Sequence, residues 1–227
     1  MKTASEWLRD ALGYEHRDPK LLDAALTHRS AGGAHNERLE FLGDSVLNCA
    51  VAALLFREFA EATEGELSRF RATLVSGESL ANIAGELELG ERLHLGSGEL
   101  KSGGFRRKSI LADGFEAIIG SIYLDGGFEA AARVVERIFA PRLGALPSAT
   151  ELKDPKTRLQ EALQARGLPI PAYTVEAISG QAHQQLFRVS CASQALGLTS
   201  HGEGDSRRGA EQAAAKQLLA QLEERGV

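Results

Sequence analysis

At 227 residues, 43% hydrophobic and 25% charged, the chain has the composition of a globular protein with room for one large or two modest domains. Its net charge of −5 excludes a uniformly basic surface, so any nucleic-acid site must be built from locally placed cations. No apolar run approaches the roughly 20 residues of a membrane helix, and the first residues lack the apolar core of a signal peptide. Two distant cysteines, Cys49 and Cys191, read as buried thiols in a reducing compartment, so a cytoplasmic protein is expected.

Residues 1–146 read as all-helical. Segments 21–27, 37–58, 66–84, 108–123 and 128–143 carry apolar residues at spacings of three and four, with glycine pairs such as Gly32-Gly33 and Gly126-Gly127 between them. Residues 147–154, with Pro147, Ser148 and Asp154, read as a linker. From 155 onward the pattern changes. A short helix over 156–166 is stopped by Gly167 and Pro169, strands are expected over 172–178, 186–192 and 196–199, and Ser206 caps a final helix reaching Leu222. The fold class is therefore an all-α domain followed by a small α+β domain of order α-β-β-β-α over 155–227. The charge divides unevenly: 9 Lys+Arg against 8 Asp+Glu over 153–227, net +1, and 17 against 23 over 1–152, net −6.

The acidic excess has a focus at 36–45, NERLEFLGDS. On a helix turning about 100° per residue, Glu37, Glu40 and Asp44 fall within an arc of about 60°, while Leu39, Leu42 and Val46 project from the opposite side. Three carboxylates on one face repel each other unless a cation or a proton offsets them; the alternative is an ordinary solvated acidic face. Phe41 speaks against that alternative, because it lies at the edge of the acidic face, where a partner surface would cover it. A second acidic pair, Asp113 and Glu116, sits three residues apart on one helical face in the apolar stretch 109–120, SILADGFEAIIG. Carboxylate ligands without a His/Cys cluster suit Mg²⁺, with Mn²⁺ as the alternative, and such ions support phosphodiester hydrolysis without a side-chain nucleophile.

The segment 36–45 resembles the signature of the ribonuclease III family, and 109–120 resembles that family's second acidic motif. The similarity continues through 65–72, GELSRFRA, and into the C-terminal module. It implies a magnesium-dependent endonuclease that hydrolyses double-stranded RNA and acts in rRNA and mRNA processing and decay. The products would have 5′-phosphate and 3′-hydroxyl ends with a short 3′ overhang. It implies Glu40, Asp44, Asp113 and Glu116 as catalytic metal ligands, Asp44 also positioning water, and Glu37 and Glu64 as accessory acidic residues. It further implies a homodimer formed through the signature helix, with Phe41 inserted into the partner.

At the start of the last helix, Arg207 and Arg208 lie beside free backbone N–H groups and the positive end of the helix dipole, a natural phosphate site. The module resembles the double-stranded-RNA-binding domain, with 206–215 as its C-terminal signature. By that resemblance Gln160, Glu161 and Gln164 would contact one minor groove, His183 a second, and Arg207, Arg208 and Lys216 the intervening phosphates. Gly209 stands where the family often has a third cation, and Glu203 and Asp205 precede it, so modest affinity and steep salt sensitivity are expected. The basic stretch 101–108, KSGGFRRK, is a candidate for steering phosphate towards Asp113. Two other readings stand beside the nuclease: a non-catalytic double-stranded-RNA-binding protein, and a helical scaffold whose acidic face binds a protein. The latter requires the two carboxylate clusters to lie apart.

Overall fold

The computed structural model describes residues 2–148, 152–181 and 184–225. The chain divides into two compact units, Met1–Leu146 and Pro147–Val227.

The first unit is helical. Its main elements are α1 (Ala4–Leu12), α2 (Pro19–Leu26), α3 (Glu37–Glu58), α4 (Glu64–Leu74), α5 (Gly77–Glu86), α6 (Ser97–Lys101) and α7 (Lys108–Phe139). Local chemistry sets several ends. Thr3 with Glu6, and Thr63 with Glu66, form reciprocal capping boxes that satisfy the first free N–H groups of α1 and α4. The single helix expected over 66–84 is broken in two, because the Ser76 hydroxyl accepts from the backbone of Ser79 and starts α5 afresh after Val75. The two helices expected over 108–123 and 128–143 are both present and run on as α7, separated at Gly127, whose φ of 78° and ψ of 178° are not helical; the second ends at Phe139.

α7 is the spine of the unit. Ile110, Leu111, Phe115, Ile118, Ile119 and Ile122 on it are buried, and it packs against α2, α3 and α5. By length and composition α3, at 22 residues, meets the threshold for a membrane span that the sequence reading found nowhere. Here its apolar residues Leu39, Val46, Leu47, Val51, Leu54 and Leu55 are buried within the unit. Cys49 on the same helix is exposed, which corrects the expectation of two buried thiols; Cys191 is buried.

In the second unit, α8 (Pro155–Gln164) and α9 (Arg207–Glu224) cover a three-stranded antiparallel sheet of order β1-β2-β3, from β1 (Ala172–Gln181), β2 (Gln184–Ser193) and β3 (Leu198–Gly204). Its core is Leu159, Leu163, Cys191, Leu198, Ala214, Leu218 and Leu222. The third strand lies later than the expected 196–199. Gln194–Leu196 forms a 3-10 turn, and the strand runs through Ser200, His201, Gly202 and Glu203. This sequence has no apolar alternation because α9 presses directly on it. A Cβ on Gly202 would lie 2.2 Å from the backbone nitrogen of Ala214, and the Ser200 hydroxyl donates to the carbonyl of Ala214 at 2.7 Å. Small residues face the helix because nothing larger fits.

Candidate active site

The site begins with a glycine. In the interior of a helix glycine costs roughly 1 kcal/mol relative to alanine, so one placed there marks a close approach. A Cβ on Gly43 of α3 would lie 1.8 Å from the carbonyl oxygen of Glu116 on α7, and a Cβ on Gly120 would lie 2.2 Å from the carbonyl oxygen of Leu39. The two backbones therefore touch. That contact brings together acidic residues more than 70 positions apart in the chain: ligand-capable oxygens of Glu40, Asp113 and Glu116 all lie within 4.8 Å of one another.

These carboxylates are half-buried. Desolvation, followed by the charges of Asp44, Asp113 and Glu40, pushes the Glu116 carboxyl up to about 7. Glu40 is also raised, by burial and then by Asp113 and Glu37. Asp113 is raised by burial, with His28 and Arg29 opposing. At such spacing, repulsion is on the order of 3 kcal/mol per ionised pair, more than a typical hydrogen bond contributes. A divalent cation offsets this repulsion, and an all-oxygen donor set free of His and Cys suits a hard ion. The residues present fit such an ion.

The other residues singled out from sequence divide. Asp44 lies close enough to raise Glu116 but is not one of the three clustered carboxylates. Its Oδ1 and its carbonyl both accept from the Asn48 side-chain amide, at 2.8 and 2.9 Å. Glu37 faces the same cavity as Glu40 and Asp113 but is paired with Arg29 at 3.2 Å. Glu64 lines a different recess, with Phe56, Leu67 and Arg71, and accepts from Ser68 at 2.8 Å. Phe41 is 78% exposed and Phe56, four turns further along α3, is 74% exposed. Within 101–108, Arg107 pairs with Glu99 and Lys108 with Glu78, which leaves less free positive charge than the sequence suggests.

In the second unit, Gln160, Glu161 and Gln164 share the exposed face of α8, with Glu161 held by Lys153 at 2.6 Å. Ser206 caps α9 by accepting from Gly209. Arg207 is tethered by its Nε to Glu211 at 2.9 Å, while Arg208 and Lys216 are exposed. Glu211 also receives Lys156, whose ammonium sits 4.4 Å over the Tyr173 ring. His183 lies outside the described residues.

His28, Asn36 and the Gly43–Gly120 contact join the surroundings of the cluster only in the folded chain. Gly43 was the available signal, a glycine inside the acidic motif on the side of the helix that faces the core.

A helical unit with an inter-helix carboxylate cluster, followed by an α-β-β-β-α unit, defines the class, and the family models agree. Residues 18–143 match the model described as Ribonuclease-III-like, and residues 155–222 match the double-stranded RNA binding motif. The chain is 56% identical over 225 residues to ribonuclease 3 of Alkalilimnicola ehrlichii, covering 99% of each chain. It is 57% identical over 222 residues to ribonuclease 3 of Hahella chejuensis, covering 98% of each. A solved nuclease domain of ribonuclease III from Campylobacter jejuni, described for structural flexibility in a region involved in dimer formation, is 45% identical. It aligns with a TM-score of 0.59 over 61% of this chain and 98% of that one. The chain belongs to the ribonuclease III family.

Proposed function

We propose that the protein is an endoribonuclease that hydrolyses double-stranded RNA with a divalent cation, Mg²⁺ in the first instance and Mn²⁺ as the alternative. One observation carries the reading: Glu40, Asp113 and Glu116, contributed by two helices, converge within 4.8 Å. Those three, with Asp44 beside them, would hold the ion. When bound, it supplies Lewis-acid polarisation of the phosphoryl group and acidifies water at the site. The protein's own contribution is to hold the carboxylates rigidly through the α3–α7 backbone contact and to keep them partly desolvated, where their charge acts more strongly. The same reading gives 5′-phosphate and 3′-hydroxyl ends with a short 3′ overhang, and Glu37 and Glu64 as accessory acidic residues.

The substrate class follows from the second unit. Residues 147–154 would link a catalytic domain over 1–146 to an RNA-binding domain over 155–227. There Gln160, Glu161, Gln164, His183, Arg207, Arg208 and Lys216 would meet the grooves and phosphates of an A-form duplex. A second copy of the chain would cover the exposed rings of Phe41 and Phe56 on α3. The convergence of the two acidic clusters removes the ground for a scaffold whose acidic faces lie apart.

The test is incubation with a long RNA duplex, with and without Mg²⁺, for the parent protein and for Glu116→Gln. Cleavage is expected only in the parent with metal. The variant should lose at least about 100-fold in rate while binding duplex with unchanged affinity. Metal-independent cutting, or full activity of the variant, overturns the assignment.

A further inference from the structure

Beside the carboxylates lies a cavity of about 260 Å³ lined by the acids Glu37, Glu40, Glu99 and Asp113 and by the donors His28, Arg29, Asn36 and Arg107. These donors differ in how free they are, and Arg107 is engaged by Glu99 at 3.1 Å. Arg29 is already matched by Glu37 at 3.2 Å. Asn36 is only 2% exposed, yet its Nδ2 has no hydrogen-bond partner among the described residues, and its side chain does not cap the helix it precedes. An unpaired buried amide costs roughly 1–3 kcal/mol, so its presence points to a ligand that satisfies it.

His28 is held for the same task. The backbone N–H of Ser30 donates to its Nδ1 at 3.2 Å, and the Ser30 hydroxyl lies 2.8 Å from the same nitrogen. A nitrogen that receives a backbone N–H carries a lone pair, so the proton of the neutral ring sits on Nε2. No described residue bonds that Nε2. The backbone on which the ring stands is pinned on three sides: His28 N–H to the carbonyl of His94 at 3.0 Å, His94 N–H to that of Leu26 at 2.8 Å, and Asn36 N–H to that of Thr27 at 2.9 Å. Gly96 N–H in turn donates to the Ser30 hydroxyl oxygen at 2.9 Å, which turns the hydroxyl proton towards His28.

Resting on the cleavage site proposed above, we propose that His28 Nε2–H and the Asn36 side-chain amide are a donor pair that receives a non-bridging phosphate oxygen of the RNA strand in this cavity, next to the carboxylate cluster. A phosphodiester fits because its oxygens accept without donating. Such a donor pair binds that oxygen without competing with a cation for Glu40 and Asp113. The pair contacts the substrate at the reacting strand, so its loss falls on kcat more than on KM, which is dominated by contacts along the rest of the duplex.

Three variants and one spectrum test this. Asn36→Leu keeps the shape of the side chain and removes the amide. It should melt at or above the parent temperature, because a buried unpaired group is gone, while kcat on duplex RNA falls about 100-fold and KM stays within about threefold. A structural role for Asn36 gives the opposite pattern, a lower melting temperature with kcat unchanged. His28→Ala should lose about 100-fold in kcat, and His28→Gln, which returns an N–H donor at similar reach, should recover to within about tenfold of the parent. Nitrogen-15 spectra of the metal-free full chain should show His28 protonated on Nε2, with that resonance moving when a short RNA duplex is added to the Glu116→Gln protein. A proton on Nδ1, an Nε2 resonance indifferent to RNA, or kcat within threefold of the parent in His28→Ala and Asn36→Leu overturns the proposal. If Glu116→Gln itself cleaves at the parent rate, the carboxylate assignment has failed instead, and the His28 spectrum separates the two failures.

Discussion

Glu116 concentrates the electrostatics of the site in one side chain. It lies on the most buried helix of its unit, with Asp44, Asp113 and Glu40 around it, and its carboxyl is raised from an ordinary 4.5 to about 7. In the metal-free folded protein it keeps its proton to higher pH than in the unfolded chain. The stability it contributes is therefore fully present below about pH 4.5 and is lost as pH rises through 7. The metal-free protein should lose melting temperature between pH 5 and 8 relative to Glu116→Gln, which has no proton to release. Added Mg²⁺ should stabilise the parent more at pH 8 than at pH 6, because the ion displaces that proton. Thermal melts at the two pH values, with and without the ion, check both statements; a parent and variant that track each other across the range would contradict them.

At the scale of elements, the α3–α7 crossing determines what those carboxylates can do. Ridges of ordinary side chains hold helices about 8–10 Å apart, whereas glycines let the backbones meet. With Gly43 against the Glu116 carbonyl, Glu40 is brought to Asp113 and Glu116. Gly43→Ala forces the helices apart and should cost about 2–4 kcal/mol of stability in urea melts. It should also lower the affinity for Mg²⁺ in calorimetry, since the two halves of the ligand set separate. Unchanged stability would mean that the close contact is not there. The elements were unevenly legible in the sequence. α3 was readable to both ends because charged residues, Glu37 and Glu40 in the first turn and Arg57 in the last, bracket a long apolar stretch. The break at Ser76 was hidden because apolar spacing continues across it, and the part of β3 beyond Thr199 was hidden because a strand pressed against a helix is built from glycine and serine rather than from alternating apolar residues.

At the scale of the whole molecule, charge is divided between the units, and three of the cations singled out for phosphate are already engaged by carboxylates. Arg207 is engaged by Glu211, and Arg107 and Lys108 by glutamates. Their engagement should lower the affinity for a polyanion, and binding to an RNA duplex should fall steeply as salt is raised. In the dimer proposed above α3 would supply the interface, since Phe41 and Phe56 expose large rings along one side of the helix. Burying each ring against a second copy is worth roughly 1.5–3 kcal/mol. Because a two-fold interface uses each ring twice, Phe41→Ala should weaken the dimer by at least about 100-fold. Sedimentation equilibrium reads this directly, and an unaltered dissociation constant would remove Phe41 from the interface.

The sequence by itself determined the two-unit organisation, the helical class of the first unit, the α-β-β-β-α order of the second and which carboxylates stand as candidates for the site. Each of these is written in local periodicity, capping chemistry and short motifs. Only the tertiary structure decided which of the acids converge, that Asp44 stands beside the cluster rather than in it, and that Glu64 faces another recess. It alone joined His28 and Asn36 in one cavity with Glu40 and Asp113. Convergence of that kind depends on the distance between two helices, and that distance is set by a backbone contact between residues far apart in the chain, which no local pattern records.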